Sequence, residues 1–391
     1  MISSHKVLVT DANYKHTLGA VRSLSMAGFV VDAIGSRFTL SGLSKFLNKT
    51  VFDERLFSEN HIDEFLQFLV KNSYDVLLPI GARSVRLVSK YKKEIERCCK
   101  VPVSDIEKVD YCLDKKRTQS LAKSLGIKVP ENYEISFKDG KIEITSEVRY
   151  PVFIKGSHEI FKRRPSIARN QQELISTLAS WQRHDFAKSF PPLVQEFIEG
   201  HGFGYFALYK NGKCVQSFMH ERIRESPAIG GPSTCAMSIY DENLMRLGQK
   251  LFDAIGWHGV GMVEFRKDER TDEYYLMEIN PKFWGSLDLA IACGVDFPTM
   301  AAKMALGEEI LPIEKYPTGV KFHWPFAGIP FGGEIAHAIE NPSSIPSIIR
   351  DSLNPNVKSN LWRSDPLPCI LSFFQEMYQA ARIIKEKYSA V

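Results

Sequence analysis

Two carboxylates and an amide in this chain are spaced so that they could share one cation. The segment Tyr275-Leu276-Met277-Glu278-Ile279-Asn280-Pro281 sets Glu278 and Asn280 two residues apart among apolar neighbours. In a strand, residues i and i+2 point to the same face, so both would project together. Upstream, Val260-Gly261-Met262-Val263-Glu264-Phe265 is a second apolar run with a single carboxylate. The polar stretch Lys267-Asp268-Glu269-Arg270-Thr271-Asp272 between the runs reads as a hairpin turn. Pairing the two strands would bring Glu264 near Glu278 and Asn280. Such a set of oxygens suits a hard cation, and magnesium in particular takes few protein oxygens and completes its shell with water and phosphates. A carboxylate buried with neither cation nor partner is costly. The plain alternative is a hairpin whose glutamates face solvent.

Four other features could act on an anionic substrate. Leu113-Asp114-Lys115-Lys116 precedes a helical pattern, which places Lys115 to reach towards a phosphate. Tyr150-Pro151-Val152-Phe153-Ile154-Lys155 ends an apolar strand in a lysine, beside a basic loop with Lys162, Arg163 and Arg164. Lysine binds phosphate as a point charge, although each lysine could equally be solvated. Val194-Gln195-Glu196-Phe197-Ile198-Glu199-Gly200 is an apolar strand running into a glycine. Backbone groups at such a hinge can pair with an adenine edge while apolar neighbours sandwich the ring. In His220-Glu221-Arg222-Ile223-Arg224-Glu225, followed by the loop Gly230-Gly231-Pro232-Ser233, Arg222 and Arg224 would share a strand face suited to carboxylate or phosphate. Local ion pairs on a solvated strand are the alternative.

The elements that must position these groups follow from pattern. Residues up to about 100 alternate strand and helix: strands at Lys6–Thr10, Phe29–Ile34 and Asp75–Pro79, helices at Thr17–Ala27 and His61–Asn72. That order argues for an α/β parallel sheet with right-handed crossovers. The first turn, Asp11-Ala12-Asn13, lacks the GxGxxG fingerprint, so a dinucleotide is not supported. A helix is expected over Lys115–Gly126. Next come a hairpin over Tyr133–Ile144, a strand over Pro151–Lys155, a helix from Gln171 to about His184 and a strand over Leu193–Ile198. The end of the chain carries Pro-rich loops and an amphipathic helix over Pro368–Tyr388. Packing on the body or a partner is the commoner use of such a helix, with a membrane surface as the alternative.

Composition bounds the rest. At 391 residues, with 44% hydrophobic and 25% charged residues, the chain reads as a globular protein with two or three cores. A net charge of +4, dispersed along the chain, gives no footprint for nucleic acid. The 7 cysteines have no metal-ligand spacing and read as reduced thiols in a cytoplasmic protein. No leader and no transmembrane segment are expected. For oligomeric state, a homodimer is the base expectation.

The order of the parts is more specific than any one of them. A lysine, a strand-end lysine, a hinge strand, an arginine strand and then Glu264 with Glu278-Ile279-Asn280-Pro281 resembles an ATP-grasp enzyme. The nearer likeness is to the carbamoyl-phosphate-synthase-like branch and its predicted carboxylate–amine ligases. It rests on Met277-Glu278-Ile279-Asn280-Pro281-Lys282-Phe283-Trp284-Gly285-Ser286-Leu287 and the later Gly294-Val295-Asp296-Phe297-Pro298. The resemblance implies a pre-ATP-grasp domain over 1–108, an ATP-grasp domain over 109–310 with a small lid over about 131–199, and a C-terminal extension over 311–391. It implies Lys115 and Lys155 on ATP phosphates, and Glu196, Phe197 and Ile198 at the adenine. Glu264, Glu278 and Asn280 would hold magnesium, with manganese as a substitute. Arg222, Lys282 and Arg224 would serve the transferred phosphoryl group or the acyl substrate. The implied reaction is ATP-dependent ligation of a small-molecule carboxylate to an amine through an acyl phosphate, releasing ADP and phosphate. Other ATP-grasp chemistry, kinase or carboxylase-like, and a non-catalytic ATP-binding regulatory protein are the alternatives.

Three positions depart from the family pattern. The loop Gly156-Ser157-His158-Glu159-Ile160-Phe161-Lys162-Arg163-Arg164 has one glycine and is basic, where the family usually has a glycine-rich phosphate loop. Gly202 and Phe203 stand where a ribose-binding glutamate is usual, leaving Glu199 as a substitute. Lys282 stands where arginine is common, which turns a bidentate grip into a point charge. The segments His323-Trp324 and Trp362-Arg363 are expected either to close over the acyl site or to be core. In the first case Trp324→Ala and Trp362→Ala would raise a substrate KM without unfolding, and plain destabilisation would mark the second.

Overall fold

The computed structural model describes residues 5–36, 38–51, 53, 57–138, 141–160, 165–183, 190–227, 230–328 and 332–389. The chain opens with a four-stranded parallel sheet in the order β3-β2-β1-β4, from Lys6–Val9 (β1), Val30–Ile34 (β2), Lys49–Val51 (β3) and Val76–Leu78 (β4). Its strands β2, β1 and β4 are short and largely buried, as parallel strands between helices must be, while β3 at one edge is partly exposed. Helices at Lys15–Met26 and Ile62–Asn72 form the crossovers read from the sequence, with boundaries moved by two residues or fewer.

A small antiparallel sheet follows, in the order β5-β10-β8-β9. It comprises Asn132–Tyr133 (β5), Val152–Lys155 (β8), Ser166–Ala168 (β9) and Leu193–Glu196 (β10). The hairpin Ile135–Lys138 (β6) and Lys141–Ile144 (β7) stands beside it. The helix Gln171–Gln182 covers the small sheet with Leu174, Leu178 and Trp181, giving this unit its own core.

The third sheet is seven-stranded, in the order β15-β14-β11-β12-β13-β16-β17. Its long strands are Gly200–Lys210 (β11), Lys213–Glu225 (β12), Ser233–Ile239 (β13), Gly259–Asp268 (β14) and Tyr274–Asn280 (β15). The C-terminal segment adds Lys321–His323 (β16) and Lys358–Ser359 (β17) to the same sheet, with β16 antiparallel to β13 and β17 parallel to β16. Gly200 joins the small and large sheets. Its φ is +143°, and a Cβ there would sit 1.9 Å from the Lys267 carbonyl oxygen, so no other residue fits.

The two larger sheets share cores. Val7, Val9 and Val31 of the parallel sheet pack in one cluster with Phe206, Phe218, Trp284 and Trp324. A buried ion pair adds to this: Arg22 Nε donates to Asp365 Oδ2 at 2.9 Å, and Arg22 Nη1 to the Asn360 carbonyl at 3.1 Å. Trp362 lies against that guanidinium, with Arg22 Cζ 4.6 Å from the ring centroid. The final helix, Pro366–Ser389, turns Glu376 inwards to accept N–H groups from Gly333 and Ala336. Its packing on the body is the commoner of the two uses expected for it.

These contacts correct the expectation that the C-terminal tryptophans close over a substrate. Trp324 is fully buried and donates its indole N–H to Asp288 Oδ2 at 2.9 Å, while Trp362 is occupied with Arg22. Apolar burial and a paired indole N–H are the marks of a core tryptophan. Trp324→Ala should therefore cost about 3–5 kcal/mol of stability and show as a lowered Tm in thermal unfolding, in place of an isolated rise in KM.

Candidate functional site

The hairpin β14–β15 forms as the alternation of its residues requires. Its register sets Glu264 directly opposite Glu278 and Met262 opposite Asn280, with a bulge between Glu264 and Phe265. All four side chains line one large cavity. Like charges directly opposite are destabilising, and each carboxylate here has its own cation. Arg222 Nη1 and Nη2 donate to Glu264 Oε1 and Oε2 at 2.8 and 2.6 Å, a bidentate grip. Lys115 Nζ lies 2.6 Å from Glu278 Oε2. Burial raises the Glu264 pKa and the guanidinium of Arg222 opposes that rise; the net shift is upward.

Asn280 completes the oxygen set. Its Nδ2 donates to Glu278 Oε1 at 2.7 Å, which fixes the amide orientation. Its Oδ1 is then buried without a hydrogen-bond partner among the described residues. An orphaned acceptor beside two carboxylates fits a hard cation. The described residues hold no group of three or more His, Cys, Asp or Glu that could bind a metal. The fit to magnesium therefore depends on the amide and on positions left to water and phosphate oxygens.

The two lysines converge as expected. Asp114 caps the helix Lys115–Ser124, accepting from the Lys116 and Arg117 backbone N–H groups, and so places Lys115 at its first turn. Burial pulls the Lys115 pKa down, but Glu278 and Glu159 outweigh it and the net shift is upward. Lys155 ends β8 and donates to the Met277 carbonyl at 3.1 Å. Burial, then the charge of Lys115, brings its pKa down to about 8. Lys282 lines the cavity with Nζ 3.7 Å from Glu159 Oε1. Lys162, Arg163 and Arg164 of the basic loop lie outside the described residues.

Between the small and large sheets, Glu196, Phe197 and Ile198 line the cavity together with Pro130, Phe153 and Met277. Glu199 does not. Its carbonyl accepts from the Glu269 N–H at 3.1 Å, where the chain turns at Gly200 into β11, and its side chain forms no part of the cavity wall. The ribose role suggested for Glu199 is not supported by this placement.

Arg224 is the second correction. Its guanidinium binds Glu334 at 2.8 Å and Asp351 at 2.8 Å, both from the C-terminal segment, and it does not line the cavity. Even strand spacing predicts one face for Arg222 and Arg224. The pairing of β12 with β13 slips between these residues and again before Glu225, so the alternation is not regular here.

Four groups in the cavity went unassigned in the sequence reading. Glu159 lies between Lys115, at 3.6 Å, and Lys282. It is carried by a loop stitched to the helix start through Lys115 N–H to the Ser157 carbonyl and Glu159 N–H to the Leu113 carbonyl. Glu225 accepts from Arg222 Nη1 at 3.4 Å and from the Gly230 N–H at 3.1 Å. The i, i+3 spacing of Arg222 and Glu225 was its only signal. Gln195 donates to Asn132 Oδ1 at 2.6 Å. Lys15 enters from the parallel-sheet domain, far away in sequence.

A parallel sheet, a small antiparallel sheet and a large, mainly antiparallel sheet around one charged cavity form the ATP-grasp fold. Residues 191–324 match the family described as "ATP-grasp in the biosynthetic pathway with Ter operon". The carbamoyl phosphate synthase large chain, C-terminal section, of Methanopyrus kandleri is 23% identical over 265 residues, 64% of this chain and 45% of its own. The carbamoyl phosphate synthase large chain of Pyrococcus furiosus is 26% identical over 246 residues, 60% of this chain and 23% of its own. The chain thus spans under half the length of either relative. Biotin carboxylase from Campylobacter jejuni superposes with a TM-score of 0.63 at 16% identity, covering 81% of this chain and 74% of that one. The L-amino acid ligase from Bacillus licheniformis gives 0.61 at 14% identity, covering 78% and 74%. At those identities the solved structures speak for the fold alone. The chain is thus similar to ATP-grasp proteins over residues 191–324, and these relatives lie on the carbamoyl-phosphate-synthase-like side of that superfamily. No helix among the described residues is long and apolar enough to cross a membrane.

The Arg222–Glu264 pair yields a direct test. Arg222→Met should cost about 3–5 kcal/mol by leaving a buried carboxylate unpaired. Without its guanidinium, Glu264 would have a folded-state pKa raised further above the unfolded value. The variant then comes nearest to wild type in acid and loses stability as pH rises through that folded-state pKa. Thermal unfolding of both proteins from pH 5 to pH 8 checks the sign.

Proposed function

We propose that this chain is an ATP-dependent ligase joining a small-molecule carboxylate to an amine through an acyl phosphate, with release of ADP and phosphate. The carrying observation is the cross-strand pair Glu264 and Glu278, each held by a cation, in one cavity with Lys155 and the hinge residues 196–198.

In this reading Lys115 and Lys155 bind ATP phosphates, and Glu196, Phe197 and Ile198 meet the adenine, largely through backbone and apolar contact. Glu264, Glu278 and Asn280 would hold magnesium, which supplies charge neutralisation at the transferred phosphoryl group. Arg222 and Lys282 stabilise the same developing charge. The ion pairs make physical sense here. Lys115 and Arg222 neutralise buried carboxylates until phosphate and cation arrive, and each then exchanges one charged partner for another, so no buried charge is left alone.

The chemistry needs positioning more than a nucleophilic side chain. A carboxylate is a poor acyl donor because oxide would have to leave, whereas phosphate leaves readily. Holding carboxylate, phosphoryl group and amine in line turns bimolecular steps into local ones. The lid over about 131–199 and the division of the chain into 1–108, 109–310 and 311–391 belong to the same reading. Closure of that lid would exclude water from the acyl phosphate.

Magnesium-dependent ADP and phosphate release from ATP, measured across pooled amino acids, hydroxy acids and amines, tests the proposal. Release should require both a carboxylate and an amine, and fall by at least about 100-fold in Glu278→Gln. Release that needs only one of the two, or that survives the substitution, would count against ligation.

A further inference from the structure

Lys15 begins the helix Lys15–Met26 of the parallel-sheet domain, yet it lines the same cavity as Lys115 and Arg222. It is 2% exposed. Its Nζ donates to the Ser233 carbonyl at 3.0 Å and lies 4.4 Å from the centre of the Trp324 ring. Among the described residues no carboxylate forms an ion pair with it. The acidic groups that act on it from further off are already engaged. Asp288 accepts from the Trp324 indole, Glu334 is held by Arg224, and Glu376 accepts backbone N–H groups.

A buried ammonium satisfied by one carbonyl and one ring face keeps most of its charge uncompensated, an arrangement that is costly unless it serves an anion. Burial, opposed in part by those distant carboxylates, lowers its pKa to about 8, so it remains an ammonium at neutral pH. The space beside it is kept open. Gly285 lines the cavity next to it, and a Cβ there would lie 3.4 Å from Lys15 Cε and 3.9 Å from Pro232 Cβ. Gly285 is not among the glycines with positive φ, so the backbone does not demand glycine. The missing side chain leaves the Lys15 stem next to the ammonium uncovered on the cavity side.

We propose that Lys15 recognises a carboxylate carried by one of the two small-molecule substrates, beyond the carboxylate that becomes activated. This rests on the ligase reading, and it narrows the substrates to a dicarboxylic acid on the acyl side or an amino acid on the amine side. The adenine strand and Lys155 reach the cavity from the small sheet, while Lys15 reaches it from the parallel sheet. In this proposal the nucleotide is held from the small-sheet side and the Lys15 ammonium acts on substrate specificity. A charge-assisted hydrogen bond in a dry site discriminates strongly against the neutral amide.

Equilibrium binding separates this from the ligase reading, because it needs no turnover. The full chain, saturated with magnesium and a non-hydrolysable ATP analogue, is titrated by calorimetry with two sets of pairs. One set is C3–C6 dicarboxylates against their monoamides; the other is the twenty amino acids against their carboxamides. In wild type at least one acid should bind about tenfold or more tighter than its amide, and the set containing it names the source of the carboxylate. Lys15→Met should bring acid and amide to similar affinity with nucleotide affinity retained, and Lys15→Arg should restore part of the gap. Gly285→Ala should weaken the acid without lowering Tm, which covers the case in which Lys15→Met folds poorly. Wild type showing no preference for any acid, or Lys15→Met and Gly285→Ala both keeping the wild-type preference, overturns the assignment. Absence of ADP release with an intact preference overturns ligation alone.

Discussion

Two glutamates face each other across one strand pair, and the structure around the cavity is arranged to make that tolerable. Glu264 and Glu278 are cross-strand neighbours on a largely apolar hairpin, where like charges repel and each side chain is only partly open to solvent. Arg222 from β12 and Lys115 from a helix start each neutralise one of them. Neither cation could be placed without the rest of the fold. Arg222 needs the long antiparallel ladder of β11, β12 and β14, and Lys115 needs the Asp114 cap and the loop carrying Glu159.

The charge network extends outwards from that pair. Glu159 links Lys115 to Lys282, and Glu225 joins Arg222 to the Gly230 backbone. The site therefore behaves as one polar network in a low-dielectric setting, in which removing one member strands another. Among the described residues, Asn280 Oδ1 is an acceptor left over once its amide N–H is used on Glu278. It marks where the network is open to a cation.

The C-terminal segment has a structural part in this arrangement. It extends the large sheet by two strands, supplies Glu334 and Asp351 to Arg224, and anchors the first helix through Asp365 and Arg22. Trp324 from the same segment lies under Lys15. A segment read from sequence as a cover for the site is in fact part of the frame that holds its floor.

The sequence by itself determined the elements and the chemistry that depends on local spacing. Alternation over 260–265 and 275–280, with a polar turn between, is enough to oppose Glu264 and Glu278, because strand periodicity and hairpin pairing are local rules. The strand-end position of Lys155 and the helix-start position of Lys115 follow from the same kind of pattern. Tertiary structure decided what depends on the register between distant strands and on partners far away in sequence. Arg224 leaves the cavity because slips in the β12–β13 pairing interrupt regular alternation and two distant carboxylates hold its guanidinium. Glu199 misses it because the chain turns at Gly200. Lys15 enters it because the parallel sheet packs against the large one through a shared core. No periodicity reports such contacts, since each depends on which surfaces bury one another once the sheets have formed.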